Sequence, residues 1–248
     1  MFDVRKACCL YGYRGSIAHN LYIPPKEPFG TDDRDFMGVC IAPMDCYIGI
    51  HQFDHKEYWE GSNDIVIYDI RKFVKLLIKA NPNVLGFLWN KEEMWEEISP
   101  IGQILINNKS LFSTKQAYKS FVGYANSQLK KMKHMAYKGY MGDKRKRIVE
   151  TFGYDTKNAS HLIRLLRMGV EFLKDGKMNV YRTEDVDELI AIKQGKWALE
   201  KVQREAEILF QDARDAKEES SLPEYPDICA INDMLVGIFK QYWNIKKI

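Results

Sequence analysis

The sequence predicts an α+β chain in which a sheet with flanking helices is followed by an all-helical half. Three observations carry this: short β-leaning runs crowd the first hundred residues, helical periodicity dominates after about residue 105, and the charge changes sign between the two parts. Residues 1 to 100 hold 11 Lys/Arg against 15 Asp/Glu, whereas residues 101 to 248 hold 26 against 19. An acidic half suits metal ions and a basic half suits phosphates. The expected division is 1–105 and 106–248.

The element order follows from local pattern. Cys8 to Tyr13 and Asp35 to Ala42 have the apolar content of buried strands, and Asp64 to Tyr68 is a β-branched run of strand length. Ser16 to Asn20 reads as a short helical stretch, and the Pro24-Pro25-Lys26-Glu27-Pro28 run as loop. Asp69 is placed to cap a helix over Ile70 to Ala80, whose apolar residues form a broad stripe ended by Asn81-Pro82. In the second half, Ser113-Thr114-Lys115-Gln116 fits a capping box for a helix reaching Met135 or beyond. Further helices are expected from Thr156 through Lys174, over Glu184 to Lys193, and over Lys196 to Lys217 with Gly195 as the break. Asp227 starts a closing helix.

Several classes are excluded. At 46% apolar and 29% charged residues the chain is globular rather than disordered, and no apolar run approaches the ~20 residues of a membrane helix. The charged start, Met-Phe-Asp-Val-Arg-Lys, does not resemble a signal peptide, so a cytoplasmic location and no membrane partner are expected. Five cysteines without a C-x-x-C pair argue for reduced, buried thiols rather than disulfides or a zinc ribbon. His51 and His55 have helical spacing but lack an evident third zinc ligand, and no P-loop or G-x-S-x-G sequence occurs.

The informative segment is Tyr13-Arg14-Gly15-Ser16, followed after sixteen residues by Asp33-Arg34-Asp35-Phe36-Met37-Gly38-Val39. A Gly-Ser turn offers backbone N–H groups and a hydroxyl to a phosphate. Two aspartates at i and i+2 on a strand point to the same side, an arrangement of hard oxygen donors that suits Mg²⁺. This order resembles the nucleotidyltransferase superfamily that includes DNA polymerase β, with Gly-Ser, then D-x-D, then a third carboxylate on a neighbouring strand. The chain is similar, further, to the predicted nucleotidyltransferases of bacteria and phages. That similarity is carried by Tyr11 to Ala18, Asp33 to Val39, Asp64 to Phe73, Asn81-Pro82-Asn83 and Gly153 to Gly169. The insert Asn20 to Thr31 is longer and richer in proline than in many of its members.

The resemblance implies a mixed nucleotidyltransferase sheet and metal-dependent transfer of a nucleoside monophosphate from a nucleoside triphosphate to a hydroxyl, with release of pyrophosphate. Asp33, Asp35 and a third acid would be catalytic and would bind Mg²⁺ or Mn²⁺. Asp64 is favoured as that acid on the family pattern, while Asp69 has a ready role as a helix cap. Gly15 and Ser16 would face the triphosphate, joined by Lys157, His161 and Arg164 on one face of a helix, with Arg167 within reach of the same cleft. The favoured acceptor is an RNA or DNA end. A basic cluster of Lys130, Lys131, Lys133, Lys138, Lys144, Arg145, Lys146 and Arg147, interleaved with Tyr124, Tyr137 and Tyr140, suits such a partner. The alternatives are nucleotidylation of a protein or small molecule, and a nucleotide- or nucleic-acid-binding module without turnover.

Overall fold

The computed structural model describes residues 2–27, 30–134 and 143–244. The N-terminal part runs β1 (Cys8–Tyr13), α1 (Gly15–Ala18), β2 (Arg34–Cys40), α2 (Asp45–Ile48), β3 (His55–Glu60), β4 (Asn63–Asp69), α3 (Ile70–Ile78), α4 (Pro82–Phe87), β5 (Trp95–Ile98) and α5 (Pro100–Asn107). Then come α6 (Gln116–His134), α7 (Asp143–Phe152), α8 (Thr156–Asp175), α9 (Val186–Lys193), α10 (Leu199–Glu219) and α11 (Ile228–Tyr242). The protein is thus α+β, with a helical C-terminal region, and α5 bridges residue 105. No described helix is long and apolar enough to cross a membrane.

The five strands form one sheet in the order β3-β4-β2-β1-β5. Only β2 and β4 are parallel, so the sheet is mixed. Alternation along the strands divides the side chains between two faces. Leu10, Met37, Val39 and Val66 lie in the main core, which continues without a break into the helices. Phe36, Cys40, Ile65 and Ile67 form a smaller cluster on the other face, with Val4 and Phe2 from the N-terminal segment and Phe53.

The helical region is built around α8, which packs against α6, α9 and α10. Its Leu162, Ile163, Leu165, Leu166 and Phe172 are fully buried, as the apolar spacing requires. Asp155 caps its N-terminus by accepting the Asn158 N–H at 3.0 Å, and Gly176, at φ +65°, closes its C-terminus.

Several local expectations need correction. Pro82 opens α4 instead of merely ending the preceding helix, because proline is tolerated at the first helical position and Asn81 caps it. Ser113 does not cap α6: its hydroxyl donates to the Gly176 carbonyl at 2.9 Å, a tertiary bond that competes with the local one. The edge strands β3 and β5 and the helices α2 and α7 have no counterpart among the elements the sequence pattern predicts. All five cysteines are free, with Cys8, Cys9 and Cys40 buried and Cys229 exposed.

Candidate functional site

The parallel register of β2 and β4 sets Asp35 directly beside Asp64. Neighbouring strands are ~4.8 Å apart and in-register residues share a face, so the two carboxylates stand side by side at the starts of their strands. Asp33 lies two residues before Asp35, where its N–H donates to Thr31 Oγ1 at 3.1 Å. Asp69 sits at the other end of β4, about 16 Å away along the strand. It is buried, caps α3 by accepting the Arg71 N–H at 2.9 Å, and accepts the Tyr47 hydroxyl. Burial pushes the Asp35 carboxyl above the usual carboxylate range, and the nearby charges of Asp64 and Asp33 add to this while Arg14 and Lys157 oppose it.

Gly15 begins α1 at φ +64°, a left-handed conformation that favours glycine. A Cβ there would lie 2.1 Å from Asp35 Oδ2, so the turn and the carboxylate approach as closely as they do only because position 15 has no side chain. Ser16 follows in the same turn, its carbonyl accepting the Leu21 N–H at 2.8 Å.

Arg14 stitches this corner together. Its backbone N–H donates to the Asp35 carbonyl at 2.8 Å, its Nε to the Phe36 carbonyl at 3.1 Å and its Nη2 to Asp64 Oδ2 at 3.0 Å. The sequence showed Arg14 next to Gly-Ser but gave no reason to pair it with a residue fifty positions away.

The helical region supplies cations unequally. Lys157, exposed in the first turn of α8, lies near enough to Asp35 to influence its ionisation. Lys193 closes α9, and its Nζ donates to the Leu21 carbonyl at 2.9 Å. Burial, with the Lys157 charge added, pushes the Lys193 ammonium down to about 8, and Asp35 opposes this. A lysine in the last turn of a helix has an ordinary role there, so the sequence offered no sign that Lys193 belongs to this site.

The other predicted cations lead elsewhere. Arg164 is buried, with Nη1 on His19 Nε2 at 2.6 Å and on Met168 Sδ at 3.2 Å, so it lies behind the turn rather than along an exposed helix face. His161 packs beside Tyr124 of α6, with ring centroids 5.6 Å apart. Arg167 does not reach the cleft, because Asp185, Glu188 and Glu205 hold it at 3.3, 2.6 and 2.8 Å. Of the second basic cluster, Lys130, Lys146 and Arg147 are exposed. Lys138, Tyr137 and Tyr140 lie outside the described residues, as do the side chains of Lys131, Lys133, Lys144 and Arg145.

Among the described residues no three His, Cys, Asp or Glu side chains are gathered into a preformed metal cage. His51 bonds Asp45 at 3.0 Å and His55 stacks on Tyr68, which disposes of the histidine pair.

A mixed sheet joined to a helical region, with acidic side chains in register beside a Gly-Ser turn, is the frame of a nucleotidyltransferase-like enzyme. A model of the RNA repair pathway DNA polymerase beta family (RlaP) matches residues 27–237, and the chain belongs to that polymerase-β-like family. The matched span includes Asp33, Asp35, Asp64, Lys157 and Lys193, while Gly15 and Ser16 precede it. No curated protein matches. Among solved structures, that of a nucleotidyltransferase-like protein from Exiguobacterium sibiricum aligns over 94% of this chain and 73% of its own, at 9% identity and a TM-score of 0.27.

Proposed function

We propose that the protein moves a nucleoside monophosphate from a nucleoside triphosphate to a hydroxyl at the end of an RNA, releasing pyrophosphate. The observation that carries this reading is the in-register pair Asp35–Asp64, set against a glycine turn whose close approach to Asp35 leaves no room for a side chain. The family's description places its members in RNA repair, which favours an RNA end over the other acceptors.

The donor set fits a hard divalent cation such as Mg²⁺ or Mn²⁺. It is anionic and all oxygen, and the charges of Asp64 and Asp33 add to the burial that raises the Asp35 carboxyl, a repulsion that a bound cation relieves. Asp33, Asp35 and Asp64 would hold the ion, which when bound supplies Lewis-acid stabilisation of phosphoryl oxygens. The remaining work falls to the chain. The Gly15–Ser16 turn presents backbone N–H groups to the triphosphate, and Lys157 and Lys193 place positive charge next to Asp35, where charge builds on the leaving pyrophosphate. The acceptor oxygen bonds to the α-phosphorus as the bond to the bridging oxygen breaks, and the hydroxyl proton passes to the Asp64 carboxylate. Arg14 keeps Asp64 oriented for that role.

The test is transfer of α-labelled nucleotide to a short RNA in the presence of Mg²⁺ or Mn²⁺. Asp35→Asn is expected to lower turnover at least ~100-fold with unchanged circular dichroism, since it removes charge at the reacting centre without changing volume. Near-normal turnover in that variant would discard the acidic site.

A further inference from the structure

The one exposed tryptophan of the five lies in the row of residues that contains the acidic pair. Trp59 is 63% exposed, while Trp89, Trp95, Trp197 and Trp243 are buried or half-buried. In the antiparallel pairing of β3 with β4, Trp59 is the register partner of Asp64. Directly opposed residues project to the same face. Two contacts confirm the phase of β3: His55 stacks on its partner Tyr68, and Tyr58 packs with its partner Ile65 in the cluster on the other face. Across the sheet the order is therefore Gly15 turn, Asp35, Asp64, Trp59.

That order has a chemical direction. In phosphoryl transfer the attacking and leaving oxygens lie roughly in line on opposite sides of phosphorus. Gly15 abuts Asp35, and Lys193 holds the Leu21 carbonyl just after the same turn, which makes that the side of the leaving pyrophosphate. Trp59 stands beyond Asp64, on the side from which the acceptor hydroxyl approaches. An exposed indole offers a π face to any unpaired base.

We infer that Trp59 is a stacking platform for the terminal base of a single-stranded nucleic-acid acceptor, placing its end hydroxyl beside Asp64. The inference rests on the transfer reaction proposed above for the identity of the two sides. It assigns to β3 a specificity for unpaired ends: a base held in a duplex is stacked on its neighbours and has no face to offer.

The test uses the full chain and a short labelled single-stranded RNA. Trp59→Ala is expected to weaken RNA binding by about ten-fold, the equivalent of ~1.4 kcal/mol of stacking, with no change in nucleoside triphosphate affinity. Trp59→Phe, which keeps a ring, should recover part of the loss. In steady-state transfer the Ala variant should raise KM for RNA and leave KM for the triphosphate unchanged. Equal RNA affinity in wild type and Trp59→Ala overturns the inference, as does a wild type that binds no RNA. A loss confined to the triphosphate also overturns it, by moving the platform to the donor base. Wild type that binds RNA through Trp59 but transfers no label sinks the proposed reaction alone, while transfer that is indifferent to Trp59 sinks only the platform.

Discussion

His19 shows how much one side chain settles at this corner. Its ring is half-buried, with Nδ1 at 3.0 Å from the Val180 carbonyl and Nε2 at 2.6 Å from Arg164. A guanidinium only donates, so Nε2 must accept, and the single ring proton sits on Nδ1 and is given to Val180. The fold therefore demands neutral imidazole. Burial, reinforced by the charge of Arg164, holds its pKa well below the usual value near 6.5. The consequence for stability has a definite sign. Below about pH 6.5 the unfolded chain takes up a proton at this position and the native chain does not, so stability falls as pH drops and recovers as pH rises to that value. The urea midpoint of wild type should decline between pH 7 and pH 5.5. His19→Gln retains an acceptor for Arg164 and a donor for Val180 but cannot titrate, and should remove up to ~1.4 kcal/mol per pH unit from that slope. An unchanged slope would mean that other groups cause the acid sensitivity.

Among the elements, α8 joins stability to the site through its first turn. Asp155 caps it, and Lys157, two residues later, is one of the cations whose charge acts on Asp35. Asp155→Ala should cost ~1–2 kcal/mol in urea unfolding and, by loosening the turn that carries Lys157, raise KM for the triphosphate. A stability loss with unchanged KM would separate the cap from the site. The same level shows what was legible in the sequence. The strand Cys8 to Tyr13 is legible in the sequence to the residue, because buried central strands are continuous apolar runs. His55 to Glu60 and Trp95 to Ile98 are not legible, because edge strands carry polar residues on both faces and lose the alternating signal. The Gly15–Ser16 turn and the D-x-D pair were legible because their parts are adjacent in the chain, and the choice between Asp64 and Asp69 drew on a family pattern. Arg14, Lys193 and Trp59 were not legible as a group, since only strand register and packing across more than a hundred residues bring them to one place.

At the scale of the whole molecule, the segment after the Gly-Ser turn binds the sheet to the helices. His19 meets Val180 and Arg164, Asn20 Nδ2 donates to the Arg182 carbonyl at 3.0 Å, and Lys193 holds the Leu21 carbonyl. Apolar packing does the same over a wider area. Trp89 sits edge-on to Phe172 of α8, and Tyr47 of α2 packs against Phe239 and Trp243 near the C-terminus, so the last helix returns to the N-terminal part. Neither part could separate without exposing this shared core, and at ~25 cal/mol per Å² even a few hundred Å² of newly exposed apolar surface costs several kcal/mol. Unfolding should therefore be a single cooperative event, although the chain is longer than most two-state domains. Tryptophan fluorescence, which reports Trp89 and Trp95 in the first part and Trp197 and Trp243 in the second, should superimpose in urea on the far-ultraviolet circular dichroism dominated by the helices. A fluorescence transition that splits, or that precedes the loss of helix, would show that the helical region folds without the sheet, and would leave the latch at residues 19 to 21 as a contact between two independent units.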